Sequence, residues 1–354
     1  MRIWYTLSWI LLLFVTASCN HDELCYHHPH DANVRIDVDW SKFVEEVPTG
    51  MSVMVYPQGE GAGKAITQQT NTTSHAIFSI PAGNYHSIVY NQSPSEYGSI
   101  SFRGMDQFET AEVYANPTHS RWYESRGDEG GRVVTEPEWF GTDQIQGLEV
   151  TPQMVEQTGQ DNYSQLVLAS RGRGDLSASF LIGEFTPQNI IYTISIKVHI
   201  DGIYNLRSAR ASLTGLAEGY WLGKGRVTSN KVTQLLENWE MTINPHDPTK
   251  GTIVAKITCF GLPDGHQGTA EENEFVLSLL LVDNKTKLDF PFYVGDKFEV
   301  HVEENVQLQL RLGLSLELTI EQPLPDVKPE NSNDGGFSAK VDDWGEEENV
   351  DVQM

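Results

Sequence analysis

Residues 307–320 read Gln-Leu-Gln-Leu-Arg-Leu-Gly-Leu-Ser-Leu-Glu-Leu-Thr-Ile, the longest alternating run in the chain. Apart from the final Ile320, the apolar residue at every second position is leucine, beginning at Leu308. On a β-strand these side chains share one face, whereas helical spacing would spread them around a cylinder. The run therefore predicts a half-buried strand, and Gly313 inside it predicts a bulge or a bend.

The same period of two recurs along most of the chain. It is clear in Val34–Trp40 and in Ile191–Ile200, and shorter apolar runs are separated by turn residues such as Pro81-Ala82-Gly83-Asn84. Many short strands of this kind indicate a β-sandwich or a barrel, and 354 residues are enough for two such domains. The sequence therefore predicts an all-β fold of two tandem sandwiches, over residues 34–184 and 185–322.

The composition excludes several classes of partner. The chain carries 24 Lys and Arg against 49 Asp and Glu, a formal net charge of −25. A chain this acidic is not expected to bind nucleic acid through its phosphates, and electrostatic attraction cannot hold it on anionic lipid. The cysteines, Cys19, Cys25 and Cys259, do not indicate a disulfide framework, and Cys259 lies in an apolar run where burial is expected.

The start of the chain has the features of a secretory leader. Arg2 precedes an apolar run from Ile10 to Val15, and small residues close the segment. The run is shorter than the roughly 20 apolar residues that span a bilayer, so residues 1–18 are predicted to be a signal peptide. Cys19 at the cut predicts a bacterial lipobox, in which the thiol is acylated, although Thr16 stands where Leu is commonest. The alternative is an ordinary signal peptide with a chance cysteine.

Residues 19–33 are expected to form a lipidated tether. Asp22 and Glu23 resemble the acidic signal that sends some Gram-negative lipoproteins to the outer face of the outer membrane. A solvated, flexible tether is the other interpretation, and the two are compatible. The chain is thus expected at the cell surface, anchored in the outer membrane by lipid on Cys19, with no other cofactor.

Residues 323–354 are predicted to be a linker, a short strand and an acidic tail. Phe337, Ala339 and Val341 alternate with polar residues behind a segment rich in Pro, Asn and Gly. Such a strand can pair with an exposed sheet edge, in its own molecule or in a partner. The alternative is a last edge strand of the second sandwich.

No motif has the spacing that catalysis or metal binding needs. Gly59–Lys64 lacks the first glycine and the Ser or Thr of a phosphate loop, so a hairpin loop is predicted. Cys25–His30 contains one cysteine and three histidines, but a turn is expected there rather than a metal site. Arg173-Gly174-Asp175 is an integrin-type tripeptide that arises easily by chance. We therefore expect no catalytic residue, no metal site and no enzyme activity.

Three aromatic pairs stand in loop-like or strand-end positions: Trp122-Tyr123, Trp139-Phe140 and Tyr220-Trp221. Flat rings bind sugars and dominate protein–protein hot spots, so Trp122, Trp139 and Trp221 are candidate glycan contacts. The alternative is that one ring of each pair is buried. If the rings are exposed, the chain is a surface glycan-binding lipoprotein; an enzyme whose site the sequence does not reveal is a third hypothesis.

Several segments, in their order along the chain, resemble a known family. They are the lipobox cysteine, Leu24–His30, Ile80–Tyr85, Thr135–Trp139, Leu213–Gly219, and the closing Gly335–Phe337 with Val341–Trp344. Together they are similar to the FimB-like anchor and minor-subunit lipoproteins of type V pili, in the fimbrillin superfamily, or to a neighbouring family of unassigned function. The resemblance covers nearly the whole mature chain.

The resemblance implies two transthyretin-like β-sandwich domains and a role in anchoring or building a pilus by strand exchange. The implied partner is a fimbrial subunit or another cell-surface protein, and Cys19 is the one residue whose role carries over, as the lipid attachment point. Shaft pilins are matured by cleavage after a basic residue in the first domain, but here Arg35 lies within the first strand itself. An anchor or an accessory adhesin of the fimbrium therefore fits better than a shaft subunit.

The lipid anchor is directly testable. Replacing Cys19 by Ala removes the acylated thiol but no part of either predicted sandwich, so the Cys19→Ala chain should fold and leave the membrane fraction. Cell fractionation, with circular dichroism of the released protein, measures both effects. A Cys25→Ala chain is the matched control and should stay with the membrane. A Cys19→Ala chain that also stays there contradicts the lipoprotein prediction.

Overall fold

The computed structural model describes residues 31–43, 47–61, 63–124, 132–158, 179–304 and 310–329. Several predicted features lie outside these residues: the leader, residues 19–30 of the tether with Cys19, Asp22, Glu23 and Cys25–His30, the Arg173–Asp175 tripeptide, and the tail strand with Phe337, Ala339 and Val341. These features stay predictions. The last residues of the predicted tether, 31–33, instead belong to the first strand. Within the described ranges, no helix is long and apolar enough to cross a membrane.

Strands make up most of the described chain, which confirms the all-β prediction. Two short α-helices accompany them, α1 (Arg121–Glu124) and α2 (Pro152–Gln157). In chain order the strands are β1 (Asp31–Val38), β2 (Met51–Pro57), β3 (Ile66–Thr70), β4 (His75–Pro81), β5 (Gly83–Asn91), β6 (Ile100–Arg103), β7 (Glu112–Ala115), β8 (Gly141–Val150), β9 (Phe180–Phe185), β10 (Gln188–Asn189), β11 (Tyr192–Asp201), β12 (Leu206–Ala217), β13 (Gly219–Trp221), β14 (Arg226–Val227), β15 (Lys231–Leu236), β16 (Glu240–Ile243), β17 (Lys250–Cys259), β18 (Glu274–Leu281), β19 (Lys287–Tyr293), β20 (Glu299–Glu304) and β21 (Leu310–Thr319).

The chain divides into two compact units, and the division differs from the predicted one. Among the described residues, those within 31–39, 48–92, 145–158 and 179–186 belong to the first unit, and those within 40–47, 93–144 and 187–329 belong to the second. The predicted boundary after residue 184 lies close to the last change of unit. However, residues 93–144 of the predicted N-terminal sandwich belong to the second unit, because β7 pairs with β13 more than 100 residues later.

The first unit contains two sheets. In one of them β1 is central, antiparallel to β4 and parallel to β9. In the other the strand order is β8, β5, β2 and β3. Val34, Ile36 and Val38 of β1 are buried, as the alternation of Val34–Trp40 predicts. The first residues of β8 belong to the second unit, where they pair with β10.

The glycine-rich segment after β2 is a hairpin loop, as predicted. β2 and β3 are antiparallel and pair from Met51 opposite Thr70 to Val55 opposite Ile66. In the loop, Gly59 has a φ of +113°, a backbone region that residues with a Cβ rarely adopt. The turn therefore accounts for the glycine without a bound phosphate.

The second unit contains three sheets. The largest has the strand order β16, β17, β11, β21 and β20, the next has β15, β12, β18 and β19, and the third has β14, β13, β7 and β6. β11 is antiparallel to β17 and parallel to β21. Ile194, Ile196, Val198 and Ile200 of β11 are all buried. The alternation of Ile191–Ile200 thus predicts the core face correctly.

β21 confirms the predicted strand but has no bulge. Its side chains Leu314, Leu316 and Leu318 are buried. Gly313 pairs with Thr193 of β11 and with His301 of β20, and neither ladder shifts register there. The prediction of a bulge at Gly313 was wrong, because the ladder with β20 continues through the glycine in register and the ladder with β11 begins at it. Packed sheets in both units fit β-sandwiches, and the transthyretin-like topology stays a prediction.

The Leu213–Gly219 motif contains a bend that requires glycine. The pairing of β12 with β15 shifts register between Leu213 and Leu216. Between them Gly215 has a φ of +76°, and a Cβ added there would lie 2.1 Å from the carbonyl oxygen of Glu272. Backbone conformation and lack of space therefore both exclude a side chain at this position.

Gly215→Ala should lower the free energy of unfolding by about 2–5 kcal/mol, because left-handed backbone costs about 1–2 kcal/mol and overpacking adds about 1–3 kcal/mol. Gly265→Ala is the matched control, since Gly265 has a φ of +72° but nothing within 4 Å of its Cβ position. The control should lose only the backbone contribution of about 1–2 kcal/mol. Urea unfolding followed by circular dichroism measures both. Equal losses would contradict the steric argument.

Candidate functional site

The predicted aromatic pairs occupy separate elements of the second unit. Trp122 lies on α1, Trp139 lies before β8, and Trp221 ends β13. Tyr123 and Phe140 are buried, so in these two pairs one ring is buried, as the alternative interpretation predicts. The three tryptophans are half-buried.

Cations lie over two of the candidate tryptophan rings. Lys224 Nζ lies 4.5 Å from the centre of the Trp221 ring. The guanidinium carbon of Arg210 lies 5.9 Å from the centre of the Trp122 ring. Such cation–π contacts cover one face of each ring. A sugar could therefore stack only on the opposite face, which weakens the case for these rings as glycan contacts.

Tyr220, beside Trp221, is half-buried as well, so the third aromatic pair has no fully buried member. Burial raises the pKa of Tyr220 to about 12. Its hydroxyl therefore stays protonated at neutral pH and can act only as a hydrogen-bonding group.

Cysteine and metal chemistry find no support in the described ranges. Cys259 is completely buried, as predicted. Burial raises the pKa of its thiol to about 12, so the reactive thiolate does not form at neutral pH. No cluster of three or more His, Cys, Asp or Glu side chains in these ranges could hold a metal ion.

A better-defined candidate surface lies at one side of the second unit. β19 and β20 are the last strands of their respective sheets, and only residues 294–298 join them. We name this edge, formed by Lys287–Tyr293 and Glu299–Glu304, the β19–β20 margin. Because it ends both sheets, the margin is where an additional strand could be accommodated.

Apolar side chains of the β19–β20 margin point inward but are incompletely covered. Phe290 lies opposite the buried Leu277, and Val300 lies opposite the buried Leu314. Residues paired in this way point to the same face of a sheet. Nevertheless Phe290 is half-buried, as is Phe292, and Val300 is 57% exposed. The margin therefore leaves part of the inner apolar surface open to water.

The two strands of the margin differ as edges. Pro291 in β19 has no N–H and cannot donate to a further strand, which is a common protection of sheet edges. Glu299–Glu304 contains no proline, and β21 is the one strand paired with β20 within the described ranges. β20 is therefore the edge that can accept an incoming strand.

The third sheet holds a buried charge cluster that the sequence did not reveal. Glu112 of β7 is 1% exposed and Glu218, just before β13, is 5% exposed. Arg103 Nε and Nη2 donate to Glu112 at 2.7 and 2.5 Å, and Nη2 also donates to Glu218 at 2.9 Å. Arg132 Nη2 lies 2.6 Å from the other carboxylate oxygen of Glu218. The one local sign of this cluster in the sequence is that Glu112 and Glu218 each stand between small or apolar residues.

Further contacts stabilise the charged groups of this cluster. The guanidinium carbons of Arg103 and Arg132 lie 4.6 and 5.8 Å from the centre of the Tyr114 ring. Burial alone would raise the pKa of Glu218, but hydrogen bonds from Arg103 and Asn230 hold it below its ordinary value. The hydrogen bond to Glu112 raises the pKa of Arg103. The cluster therefore holds β6 and β7 against the segment before β13, which is a structural role.

The Thr135–Trp139 motif also joins distant segments of the same unit, through hydrogen bonds. Glu138 accepts hydrogen bonds from the backbone N–H and the hydroxyl of Ser99, each at 3.0 Å. The carbonyl oxygen of Pro137 accepts one from the hydroxyl of Thr258 at 2.7 Å. The motif thus ties the turn before β6 to β17, and a structural role accounts for these residues.

Arg103→Ala should destabilise the protein by about 2–3 kcal/mol, because the buried Glu112 loses its ion-pair partner and Glu218 loses one of its two. This is less than the about 3–5 kcal/mol of a fully buried pair, since the Arg103 side chain is 39% exposed. Lys231→Ala is the control, because it breaks an ion pair with Glu272 in which both side chains are well exposed. Urea unfolding should show a large shift for the first variant and little for the second. Equal shifts would refute the role of the cluster.

Known proteins of similar sequence and structure support the expected resemblance. A protein of Bacteroides ovatus named "Putative fimbrium anchoring subunit Fim4B" is 22% identical over 362 residues, which is 97% of this chain and 96% of that protein. The crystal structure of an adhesin-type protein from Bacteroides ovatus aligns with a TM-score of 0.53 at 16% identity, over 87% of this chain and 99% of that one. This second likeness shows the fold.

A second similar structure is the fimbrial anchor protein Mfa2 from Porphyromonas gingivalis, with a TM-score of 0.42 and 12% identity over 81% of this chain and 90% of that one. The model of one family, described as "Domain of unknown function (DUF5119)", matches residues 18–237, more than half of the chain. This family match, with the alignment to the Fim4B protein, confirms the expected resemblance to fimbrial anchor proteins or a neighbouring family of unassigned function. The chain belongs to the DUF5119 family.

Proposed function

We propose that the chain is a surface-tethered, fimbrial-type lipoprotein that anchors or assembles a pilus, or acts as an accessory adhesin, by pairing a β-strand with a pilin partner. The observation that carries the proposal is the β19–β20 margin, where inward-pointing apolar side chains are uncovered beside an open sheet edge. A relative named as a fimbrium anchoring subunit, which aligns over nearly the whole chain, supports the same role.

Strand addition explains how such a margin would bind. An incoming strand beside β20 extends the five-stranded sheet, so that backbone hydrogen bonds supply affinity and alternate side chains supply specificity. Every second side chain of that strand would lie over Phe290, Phe292 and Val300. Covering one half-exposed side chain of this size contributes about 1 kcal/mol.

The strand itself has two candidate sources. Phe337, Ala339 and Val341 alternate as a pairing strand does, so the tail can fill the margin of its own molecule or of a neighbour. Otherwise the pilin partner donates the strand. In both cases the inward-pointing apolar side chains of the margin select an incoming strand whose every second side chain is apolar.

The proposed attachment is lipid on Cys19, with Asp22 and Glu23 directing the chain to the outer face of the outer membrane. An anchoring subunit needs such a permanent attachment, because a pilus transmits force to the protein at its base. The function needs no catalytic residue, cofactor or metal ion, and the acidic charge fits no nucleic-acid partner.

Glycan binding through Trp122, Trp139 and Trp221 is the alternative function. It has less support, because these rings are half-buried and cations cover one face of Trp122 and Trp221.

The test measures pilin recovered with the full, tagged chain from fimbriated cells after cross-linking, by quantitative mass spectrometry. Val300→Asp puts a charge into the margin and should lower recovery at least tenfold. Ile243→Asp is the matched control, since Ile243 is 49% exposed on the opposite edge strand of the same sheet, and it should leave recovery unchanged.

Removal of residues 335–354 separates the two sources of the strand. If pilin is no longer recovered, the tail of this chain supplies the pairing strand. If pilin recovery is unchanged, the pilin partner supplies it. Wild-type recovery with Val300→Asp would rule out pairing at the margin.

A further inference from the structure

The outer face of the five-stranded sheet carries a row of polar side chains that strand pairing does not use. Thr242 pairs with Thr252, Thr252 with His199, and His199 with Thr319, on four neighbouring strands. Side chains paired in this way share one face, and Ile200, next to His199, is buried on the other face. The four residues therefore form a shelf across the sheet, about 4.8 Å from strand to strand. We name it the hydroxyl shelf.

The hydroxyl shelf has unused hydrogen-bonding capacity. Among the described residues, the hydroxyls of Thr242, Thr252 and Thr319 have no hydrogen-bond partner. His199 is instead held in place, because its Nε2 lies 2.5 Å from Oε1 of Glu317. The shelf therefore presents three free hydroxyls beside an imidazole of fixed orientation.

A preformed cleft lies over the shelf. Its volume is about 440 Å³, and its lining includes Asn244 and Pro245 of the turn between β16 and β17. Hydrogen bonds within the turn brace this wall, since Asn244 Oδ1 accepts from the backbone N–H of His246 at 2.9 Å and Asn244 N–H donates to the carbonyl of Lys250 at the same distance. A concave site with braced walls and a few fixed polar groups among apolar surface is the usual form of a small-ligand site.

A second cavity continues the cleft along the same two strands. It measures about 450 Å³ and is lined by Glu237, Asn238, Trp239, Glu240, Val254 and Lys256. Glu240 pairs with Val254, and each lies two residues from a threonine of the shelf, so this pair is the next row on the same face. Two cavities in succession along β16 and β17 suit a chain-like ligand rather than a single small molecule.

The chemistry of the lining selects the class of ligand. Asp201 and Glu321 outnumber Lys250 in the first cavity, so an acidic sugar or a phosphate would be repelled. Free hydroxyls would be left unpaired by an aliphatic ligand, which is costly. A threonine both donates and accepts hydrogen bonds and offers a methyl group, which matches the alternating hydroxyl and C–H groups of a sugar. We propose that this cleft binds a neutral oligosaccharide, independently of the fimbrial role proposed above.

The experiment titrates the full chain in detergent with neutral tetrasaccharides of glucose, xylose, mannose and galactose, and with tetragalacturonate as the acidic comparison. Isothermal titration calorimetry should detect binding of at least one neutral probe and none of the acidic one. The triple variant Thr242→Val, Thr252→Val, Thr319→Val keeps shape and strand propensity but removes the hydroxyls, and it should weaken binding at least tenfold.

Thr193→Val is the matched control, because Thr193 lies on the same outer face of β11, six residues from His199, and outside both cavities. It should bind as the wild type does. If the triple variant does not fold, Thr319→Val alone at an exposed position decides the question and should weaken binding at least threefold. The proposal is overturned if no neutral probe binds, if the galacturonate binds best, or if the folded shelf variants bind as tightly as the Thr193→Val control.

Discussion

The position of β11 between β17 and β21 is the constraint on which the second unit depends. Backbone pairing covers both sides of β11, antiparallel on one and parallel on the other. Its alternate aliphatic side chains are buried on the inner face, so its polar ones must form the outer face. Both edges of the largest sheet follow from this arrangement, with β16 beyond β17 and β20 beyond β21. The β19–β20 margin and the hydroxyl shelf therefore exist where they do because β11 is central.

The sequence predicts which side chains point inward but not where distant segments meet. Period-two alternation is a local property, so the core faces of Ile191–Ile200 and of β21 could be read directly. The sequence could not show that residues 93–144 belong to the second unit, because this depends on contacts between distant segments. One such contact is at Gly219 in β13, where a Cβ would lie 2.2 Å from the carbonyl oxygen of Val113. The same holds for Arg103 and Glu218, whose ion pair joins residues far apart in the chain.

The candidate sites show the same limit of sequence reasoning. Alternation places Phe290 on an inner face, yet whether another strand covers it is decided only by the order of strands in the two sheets. The threonines of the hydroxyl shelf are ordinary outward residues in sequence, and their alignment appears only with the register of four strands. The tryptophans had the clearest sequence signal, but neighbouring cations and partial burial limit what they can bind. The resemblance motifs could be recognised in sequence, although Glu138 and Gly215 now have structural explanations.

Parallel pairing has a mechanical consequence for a chain that is pulled at its ends. In the first unit the first and last described strands, β1 and β9, are parallel neighbours, and in the second unit β11 lies parallel to β21, the last described strand. Opposite forces on the beginning of one such strand and the end of its neighbour load all the hydrogen bonds between them in shear at once. Antiparallel terminal strands would instead unzip bond by bond under lower force. Each of these parallel pairs would therefore resist such a load in shear.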